Sequence, residues 1–459
     1  MNRLLKKGLP AVLGLTLAAT PAWIGATTPT APAAPTATQA QADGTVKNVI
    51  FLIGDGMGPS YTAAYRYMID KASTPTMEKT VFDPYLVGMQ TTYSEDEHQN
   101  ITDSASAATA MSAAVKTYNA AIAVDNDQTE VKTVLEQAKE NGMSTGLVAT
   151  SEITHATPAA YGAHDISRKN MDAIADDYFD EMIGGQHKID VLLGGGKSNF
   201  ARKDRDLTAE FKKAGFGYVT DRKGLLANKD EQLLGLFADG GLDKMIDRTS
   251  ATPSLKEMTN AALDRLSDND KGFFLMVEGS QIDWAGHDND IVGAMSEMED
   301  FAGAFQAAID FAKKDGNTLV VATADHSTGG LSLGANGEYN FNVAPIKAAV
   351  HTPDYMAAKI TAGESVDKVL LQNIKLKLTA AERASVKKAA ESKDATTIDN
   401  AIEAIFNTRS FTGWTTGGHT GEDVPVYAYG PSSERFAGLI DNTDNAKIIF
   451  ELLSGKPTR

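Results

Sequence analysis

Short apolar runs alternate with longer helical patterns along most of this 459-residue chain, and this alternation limits the folds that it can adopt. Each run has the length and composition of a buried strand. The predicted strands are 46–53, 85–91, 143–150, 190–193, 272–277, 317–323 and 425–429. The predicted helices are 104–115, 131–140, 171–183, 253–266, 294–312 and 442–453. This order predicts an α/β fold, with a large, mostly parallel central sheet and helices on both faces.

The first 42 residues are predicted to be a signal peptide followed by a spacer. Basic side chains precede an apolar run from Leu9 to Ala19, which is too short to span a bilayer as a stable helix. The following stretch is uncharged and rich in Pro, Thr and Ala, which is typical of an unfolded spacer. Cleavage after Ala42 and cleavage near Ala26 are both compatible with the sequence. We expect export to the periplasm or the cell exterior and one folded catalytic domain over 43–459.

Charge and cysteine content narrow the possible partners and ligands. The formal net charge of −17 argues against a surface for nucleic acid or anionic membranes. After the N-terminal segment, no stretch has the roughly 18 uninterrupted apolar residues of a membrane helix. The chain has no cysteine, so a metal ion could bind only through oxygen atoms and imidazole nitrogens.

Three predicted strands lead into acidic or imidazole side chains, at Asp55, at Glu278 and at Asp325-His326. In open α/β sheets, ligands bind at the carboxyl ends of the strands, so these side chains predict one polar site. Each motif alone has a plainer interpretation. Asp55 in the glycine-rich turn 53–58 fits a solvated strand-to-helix turn equally well, and Asp325-His326 fits a surface turn.

Two further motifs supply possible metal ligands. Asp283 and His287 are four residues apart and would share one helical face, although an exposed Asp/His pair has the same spacing. His419 lies in the motif GGHTG, which also fits a flexible loop with a solvated imidazole. Taken together, the candidates form two sets of three nitrogen or oxygen donors, the pattern of catalytic zinc sites with open coordination positions. The sets are Asp283, His287 and His419, and Asp55, Asp325 and His326.

Ser104 and Arg168 are the candidates for direct contact with an anionic substrate. Ser104 is predicted at or next to the N-terminus of an Ala-rich helix, where free N–H groups favour an anion. A serine there is more often only a helix cap, so a nucleophilic role requires a metal ion beside it. Arg168 can bind two oxygens of a phosphoryl group, but an arginine in a polar stretch is usually solvated.

Six motifs in one order resemble the metal-dependent alkaline phosphatases: VIFLIGDGMG, TDSASAATA, THATPAAYGAHDISRK, EGSQIDWAGHD, TADHSTGG and GGHTGEDVPVYAYGP. The resemblance covers residues 46–453. It implies hydrolysis of small phosphate monoesters through a phosphoserine intermediate. Ser104 would be the nucleophile, Arg168 would bind the phosphoryl oxygens, and Asp103 would orient Arg168.

The resemblance also implies three metal ions and a homodimer. One zinc would be held by Asp283, His287 and His419. The second zinc would be held by Asp55, Asp325 and His326, with the Ser104 oxygen joining during turnover. The third ion, usually magnesium in the family, would be held by Asp55, Thr157 and Glu278.

Two residues depart from the enterobacterial members of the family. His155 stands where those members have Asp, and Trp284 stands where they have Lys. We expect both side chains to lie near the bound phosphate. Imidazole is a poor magnesium ligand and a good zinc ligand, so His155 makes zinc the alternative for the third ion. The loss of a lysine charge at Trp284 predicts weaker phosphate binding.

The segment from about Gly334 to Ser410 interrupts the strand–helix alternation. It is helical in pattern and rich in Lys and Ala, and it lies between Asp325-His326 and His419. We predict an insertion near the active site rather than a separate domain.

Rival functions are a phosphodiesterase or sulfatase on the same scaffold, and a secreted phosphate- or metal-binding protein. The chain lacks both cysteine and the Ser-x-Pro-x-Arg motif of sulfatases. Asp103, Ser104 and Arg168 match the monoesterase pattern, and a serine retained beside the full ligand set favours an enzyme over a binding protein.

Overall fold

A computed structural model describes residues 45–71 and 73–454. The predicted signal peptide and spacer lie outside the described residues. Within the described part of the chain, no helix is both long and apolar enough to cross a membrane.

One ten-stranded sheet forms the centre of the described structure. Its strands are β1 (Asn48–Gly54), β2 (Leu86–Thr91), β3 (Ser144–Glu152), β6 (Val191–Gly195), β7 (Gly217–Val219), β8 (Leu233–Leu236), β9 (Phe273–Gly279), β10 (Thr318–Thr323), β15 (Val424–Tyr429) and β16 (Gly438–Asp441). The strand order is β16-β2-β15-β10-β1-β9-β3-β6-β8-β7. Short two-stranded ribbons use β4 (Met182–Ile183) with β5 (Gln186–His187), β11 (Ser327–Thr328) with β14 (His419–Thr420), and β12 (Ser332–Leu333) with β13 (Thr412–Gly413).

All strand pairs in the central sheet are parallel except those of β15, which runs antiparallel to both β10 and β2. Strand β1 lies at the centre between β10 and β9, and each of its seven residues is buried. A strand buried on both faces needs helices above and below it. The predicted α/β fold with a mostly parallel sheet is confirmed.

Helices cover both faces of the sheet, and the side chains of β1 alternate between two cores. Ile50 and Leu52 belong to one buried cluster, whereas Val49, Phe51 and Ile53 belong to the other. The helices are α1 (Pro59–Ile69), α2 (Ser104–Ala113), α3 (Val134–Glu140), α4 (Ala156–Gly162), α5 (Met171–Asp180), α6 (Lys197–Phe200), α7 (Leu207–Lys213), α8 (Arg222–Ala227), α9 (Leu255–Leu266), α10 (Gln281–His287), α11 (Ile291–Asp315), α12 (Ala344–Lys347), α13 (Pro353–Thr361), α14 (Val366–Asn373), α15 (Ala380–Ala390), α16 (Ala395–Ser410) and α17 (Asn442–Leu453).

Helices α12 to α16 occupy most of the segment from Gly334 to Ser410. The two-stranded ribbon of β12 and β13 joins the two ends of this segment, since Leu333 pairs with Thr412. The segment also touches the loop after α10, where the Asn407 side chain donates a 2.9 Å hydrogen bond to the Asn289 carbonyl. Because the two ends of the segment meet at this ribbon, the inserted helices can be added without disturbing the central sheet.

The predicted elements exist, with shifted ends. The helix predicted over 171–183 ends at Asp180, because residues 182 and 183 form a short strand with residues 186 and 187. The helix predicted over 294–312 extends to Ile291–Asp315, from the cap Asp290 to a left-handed Gly316. Helices α1, α4, α6, α7 and α8, strands β7, β8 and β16 and the strands of the short ribbons were absent from the sequence interpretation. Strands β7 and β16 have only three and four residues, which leaves little periodicity to detect.

Candidate active site

Three neighbouring strands deliver their polar residues to one edge of the sheet. In the register of the sheet, Ile53 pairs with Glu278 on one side and with Thr323 on the other. Asp55 and Asp325 each follow two residues after this row. The carboxyl ends of parallel strands meet at one edge, so these carboxylates gather there although they are far apart in sequence.

The turn after β1 is glycine-rich because side chains approach its backbone closely. Gly56 has φ +69°, and a Cβ atom there would lie 2.6 Å from the Thr328 hydroxyl and 2.9 Å from the Asp283 Cα. A Cβ atom at Gly58 would lie 2.1 Å from the Ser327 hydroxyl. The motif therefore serves close packing around Asp55.

The first group of candidate ligands contains Asp283, His287 and His419, whose ligand atoms lie within 4.8 Å of one another. Asp283 and His287 are one turn apart on α10, with the His287 Nε2 3.2 Å from Asp283 Oδ2. His419 on β14 brings its Nε2 to 3.1 Å from the His287 Nε2 and 3.7 Å from Asp283 Oδ1. Each imidazole is fixed by its Nδ1, which faces the Gly417 carbonyl in His287 and the Thr102 carbonyl in His419. This leaves both Nε2 atoms directed at a common point.

The second group contains Asp55, Asp325 and His326, which are all fully buried. The Nε2 atom of His326 lies 3.2 Å from Asp325 Oδ2 and 3.5 Å from Asp55 Oδ1. Asp325 is held in place by its other oxygen, which accepts hydrogen bonds of 3.0 Å from the N–H groups of Gly56 and His326. The imidazoles of His326 and His419 are stacked, with ring centroids 3.6 Å apart, so the two groups are adjacent.

Ser104 is the first residue of α2 and lies beside the second group. Its hydroxyl is 3.3 Å from the His326 Nε2, and the residue is 1% exposed. Asp103 is the N-cap and accepts a 3.0 Å hydrogen bond from the Ser106 N–H. The cap fixes the first turn, where free N–H groups and the helix dipole favour an anion.

Arg168 reaches the same helix end from the loop after α4. Its Nη1 donates a 3.0 Å hydrogen bond to Asp103 Oδ2, and its Nη2 donates to the His155 Nε2 at 3.1 Å. The backbone N–H of Arg168 also donates to the Ala120 carbonyl at 2.8 Å. These contacts set the direction of the guanidinium relative to the Ser104 end of α2.

A third group combines Asp55, His155 and Glu278, with Thr157 nearby on α4. Several buried polar atoms here lack a hydrogen-bond partner within the described structure. They are both carboxylate oxygens of Asp55, Glu278 Oε1, Thr157 Oγ1, His155 Nδ1 and Asp325 Oδ2. Buried polar atoms without partners are costly, so convergence of so many at one place indicates that a ligand belongs among them.

Burial raises the pKa values of three carboxylates in the second and third groups, and repulsion from neighbouring carboxylates adds to the effect. Burial and the neighbouring carboxylates raise the pKa of Asp55 well above its usual value, and burial raises the pKa of Glu278 to about 7 and of Asp325 to about 6. Burial lowers the pKa of His155 to about 3 and also lowers that of His326, so both imidazoles are neutral. The lone pair of His155 accepts from Arg168 in this structure, so His155 would bind a metal ion only in place of that contact. Dications relieve this repulsion, and the nitrogen and oxygen donors suit zinc. The three groups therefore fit the metal ions that the sequence predicts.

Asp283 behaves differently from the other carboxylates. Burial acts to raise its pKa, but the hydrogen bond from His287 and the charges of nearby imidazoles outweigh burial, so its pKa is lowered. The same hydrogen bond raises the pKa of His287 to about 9. A proton on His287 here occupies the position that a cation would take between imidazole and carboxylate, which again indicates a metal site.

Trp284 lies next to Asp283 and packs against His155, with ring centroids 5.7 Å apart and planes at 76°. A Cβ atom on Gly241 would lie 2.5 Å from its indole ring, so that glycine makes room for the tryptophan. The two residues that depart from the enterobacterial pattern are therefore in contact with each other, and His155 connects them to Arg168.

Thr328 joins the two zinc-type groups and was not predicted from sequence. Its hydroxyl donates to Asp283 Oδ1 and lies 3.2 Å from the His326 Nδ1. Since the hydroxyl proton is used on Asp283, the Nδ1–H of His326 donates to Thr328, which leaves Nε2 unprotonated and facing Ser104. The Thr328 carbonyl is anchored by the Tyr61 hydroxyl at 2.7 Å. The available signal was its spacing of two from His326.

Replacing Thr328 with valine is expected to lower the affinity for zinc by about 10–100-fold. Without the hydroxyl, the Asp283 carboxylate loses a hydrogen bond and the tautomer of His326 is no longer fixed. Competition with a chromogenic zinc chelator measures this. Thr259→Val is the matched control, since Thr259 is also buried but its hydroxyl donates to the Leu255 carbonyl on α9. Equal zinc affinity in both variants would show that Thr328 does not position the ligands.

Several known proteins similar to this chain are alkaline phosphatases. The family model for alkaline phosphatase matches residues 46–454. Alkaline phosphatase 3 of Bacillus subtilis (strain 168) is 71% identical, over 89% of this chain and 89% of its own. The crystal structure of a cold-active alkaline phosphatase from Shewanella sp. is 42% identical with a TM-score of 0.83, covering 88% of this chain and 99% of that one. A variant of the alkaline phosphatase from the Antarctic bacterium TAB5, solved with Mg bound in its M3 site, is 32% identical with a TM-score of 0.64, covering 90% of this chain and 99% of that one.

Proposed function

The chain belongs to the alkaline phosphatase family and is a phosphomonoesterase, and we propose that it acts through a phosphoserine on Ser104 in a site with two zinc ions and a third ion. The observation that carries this proposal is the position of the Ser104 hydroxyl. It lies at a helix N-terminus, 3.3 Å from a neutral imidazole whose Nε2 also faces two buried carboxylates.

The two zinc ions would be held by the groups already described. One would bind to Asp283, His287 and His419, and the other to Asp55, Asp325 and His326. When bound, such dications lower the pKa of a coordinated hydroxyl and stabilise negative charge on the entering and leaving oxygens.

The residues of the chain then carry the reaction in two displacements. In the first, the Ser104 oxygen gives up its proton to solvent and forms a bond to phosphorus, while the bond to the alcohol oxygen of the substrate breaks and that oxygen takes a proton from solvent. In the second, a water oxygen forms a bond to phosphorus and the Ser104 oxygen leaves, which releases inorganic phosphate and restores the serine. The N-terminus of α2 favours the negative charge on the serine oxygen and on the phosphoryl group in both steps.

Arg168 selects phosphate monoesters in this proposal. Its guanidinium can bind two non-bridging oxygens, which a monoester offers without a substituent. Asp103 holds the guanidinium through Oδ2 while its Oδ1 caps α2, so nucleophile and arginine are positioned by one carboxylate. Burial acts to raise the pKa of Asp103, but the Arg168 charge and backbone N–H groups outweigh burial and lower it, which keeps the carboxylate ionised.

Replacing Arg168 with alanine is expected to lower kcat/KM for a monoester by about 100-fold or more, and for a diester by less than about tenfold. The reason is that a diester cannot present the same pair of free oxygens to the guanidinium. Kinetics with 4-nitrophenyl phosphate and bis(4-nitrophenyl) phosphate measure both. Lys169→Ala, which removes an exposed neighbouring charge, is the control. If both substrates lose activity equally, Arg168 does not select the substrate.

The third ion would be held by Asp55, Thr157 and Glu278, with His155 alongside. The unpartnered oxygens of the first three suit magnesium, which the TAB5 variant binds in its M3 site. The buried, neutral imidazole of His155 favours zinc, which makes zinc the alternative. Metal content measured after reconstitution with both metals distinguishes them.

The proposal extends to the organisation of the whole protein. Residues 43–459 would form one catalytic domain with an insertion over about 334–410, and residues 1–42 would direct export. Two such chains would form a homodimer acting on small phosphate monoesters in the periplasm or outside the cell. Fractionation of expressing cells and sedimentation of the purified protein test these expectations.

A further inference from the structure

His164 lies four residues before Arg168, in the loop that carries the guanidinium to the candidate active site, and the proposed reaction gives it no role. Its imidazole is nearly buried, with 7% of the side chain exposed. The Nδ1 atom lies 2.9 Å from the Ala123 carbonyl oxygen, and Nε2 lies 2.9 Å from Glu136 Oε1 on α3. The ring is thus fixed between a backbone carbonyl and a carboxylate.

Both neighbours of the His164 ring are hydrogen-bond acceptors. A neutral imidazole has only one N–H group, so it can donate to the Ala123 carbonyl or to Glu136, but not to both. Only the imidazolium form satisfies both oxygens. Burial acts to lower the pKa of His164, but the hydrogen bond to Glu136, the charge of Glu136 and the Ala123 carbonyl outweigh burial and raise it.

Charged groups from several elements surround this imidazole. Glu136 on α3 accepts from Nε2, and Asp177 on α5 accepts from the backbone N–H of His164 at 3.4 Å. Lys188 contacts Glu181 and lies 3.9 Å from Glu136 Oε1, so its charge acts against the proton on His164. Burial and the charge of Glu181 raise the pKa of Asp177 to about 6. In the alkaline range, Asp177 therefore stays ionised while His164 loses its proton.

Backbone hydrogen bonds connect the loop of this imidazole to a neighbouring segment, residues 120–123. Asp165 exchanges two 2.9 Å hydrogen bonds with Ile122, which form an antiparallel bridge. The N–H of Arg168 donates to the Ala120 carbonyl at 2.8 Å. With the imidazole bound to the last residue of the segment, its contacts run along the whole loop as far as Arg168.

Two alanines of the segment 120–123 have left-handed backbone conformations, with φ +79° at Ala120 and +43° at Ala123. A residue with a Cβ atom rarely adopts such a φ, so hydrogen bonds must hold the segment in place. The bond from the imidazole to the Ala123 carbonyl is one of them. At the other end, the N–H of Ala120 donates to Asp103 Oδ2, the oxygen that also accepts from Arg168. The segment therefore links the imidazole to the ion pair that orients the guanidinium.

We propose that His164 is a positioning residue for Arg168, and that its imidazolium form holds the guanidinium in the geometry that binds phosphate most tightly. This role rests on the proposed function, in which Arg168 binds the phosphoryl oxygens. Below its raised pKa, the ring donates to both the Ala123 carbonyl and Glu136. As the pH rises through that pKa, one donor is lost and the loop is held less firmly. Phosphate affinity should therefore fall, and the product should leave more readily, on the alkaline side of the His164 pKa.

The coupling between the proton and phosphate must be reciprocal. If the proton on His164 favours phosphate binding, bound phosphate favours that proton by the same factor. A coupling of about fivefold corresponds to a His164 pKa that is higher by about 0.7 in the phosphate-bound enzyme. A histidine that only stabilises the fold would show no such shift.

The test uses the enzyme loaded with zinc and magnesium, with inorganic phosphate as the ligand. Its inhibition constant is measured with 4-nitrophenyl phosphate below and above the pKa of His164, which NMR of the imidazole measures. Below that pKa, unmodified protein should bind phosphate about fivefold more tightly than His164→Ala, and above it the two should converge. Glu136→Gln should bind tightly at both pH values, because the amide N–H that it introduces can donate to the neutral ring.

His351→Ala is the matched control. His351 also contacts a carboxylate, Asp247 Oδ1 at 2.8 Å, but it lies on the inserted segment, so the variant should bind phosphate like unmodified protein at both pH values. A second control is the Arg168→Ala variant saturated with phosphate. If the coupling runs through the guanidinium, phosphate should no longer raise the His164 pKa in that variant.

Three results would overturn the role of His164. They are equal phosphate affinity in His164→Ala and unmodified protein below the His164 pKa, the same pH dependence in Glu136→Gln as in unmodified protein, and a phosphate-induced pKa shift that persists in Arg168→Ala. The Glu136→Gln result decides the question even if His164→Ala does not fold. Normal phosphate affinity in Arg168→Ala would instead remove the proposed role of Arg168. Weak binding by Arg168→Ala with normal binding by His164→Ala would overturn only the role of His164.

Discussion

Replacing Ser104 with alanine is expected to lower the turnover of 4-nitrophenyl phosphate by about 1000-fold or more while zinc content stays the same. The hydroxyl is the attacking atom in the proposed reaction, and alanine removes it without disturbing the Asp103 cap, which bonds the backbone N–H and hydroxyl of Ser106. The ligand groups around the site are also unchanged. Steady-state kinetics and elemental analysis of the same preparation measure both quantities.

Ser112→Ala is the matched control for this variant. Ser112 is also buried on α2, but its hydroxyl donates to the Ala160 carbonyl away from the ligand groups, so its loss should leave turnover within a few-fold. Phosphorylation supplies a second readout, because unmodified protein quenched in acid during turnover should carry phosphate on Ser104. Near-normal turnover by Ser104→Ala would remove the nucleophile assignment, whatever metals the protein contains.

Removal of the metal ions is expected to abolish activity and to lower Tm, and zinc should restore both. Without cations, burial and, to a smaller extent, repulsion between neighbouring carboxylates disfavour the ionised forms of Asp55, Asp325 and Glu278, whose pKa values are raised. An ion present at about 1000 times its Kd contributes about 4 kcal/mol to the free energy of unfolding, so loss of two zinc ions should have a large effect. Activity and Tm measured after dialysis against a chelator, and again after zinc addition, test this.

The control for the metal experiment is the addition of magnesium in place of zinc. Magnesium alone should leave the enzyme inactive, because the imidazoles of His287, His326 and His419 suit zinc and not magnesium. Full activity after exhaustive chelation, with no zinc remaining by elemental analysis, would contradict the metal-dependent mechanism.

The central sheet was predictable because its strands are locally distinct. Runs such as Asn317–Thr323 combine β-branched residues with a length that few helices have, and their polar ends marked the site. The order of the strands was not predictable, since the adjacency of β1 to β9 and β10 depends on contacts more than 200 residues apart. Periodicity carries no information on such pairing.

The candidate ligands were identifiable from residue type and spacing, most clearly Asp283 and His287 on one helical face. Their partner His419 was included in the same set only by residue type, because GGHTG alone fits a loop with a solvated imidazole equally well. The link made by Thr328 was not predicted, because its spacing of two from His326 does not show that its hydroxyl also contacts Asp283.

Anomalous X-ray diffraction at the zinc absorption edge, from crystals of the zinc-loaded protein, would locate the metal ions relative to Ser104. We expect two strong peaks, one among Asp283, His287 and His419 and the other among Asp55, Asp325 and His326, about 3.5–4 Å apart and next to the Ser104 hydroxyl. A single peak, or peaks away from Ser104, would contradict the account of a serine activated between two metal ions.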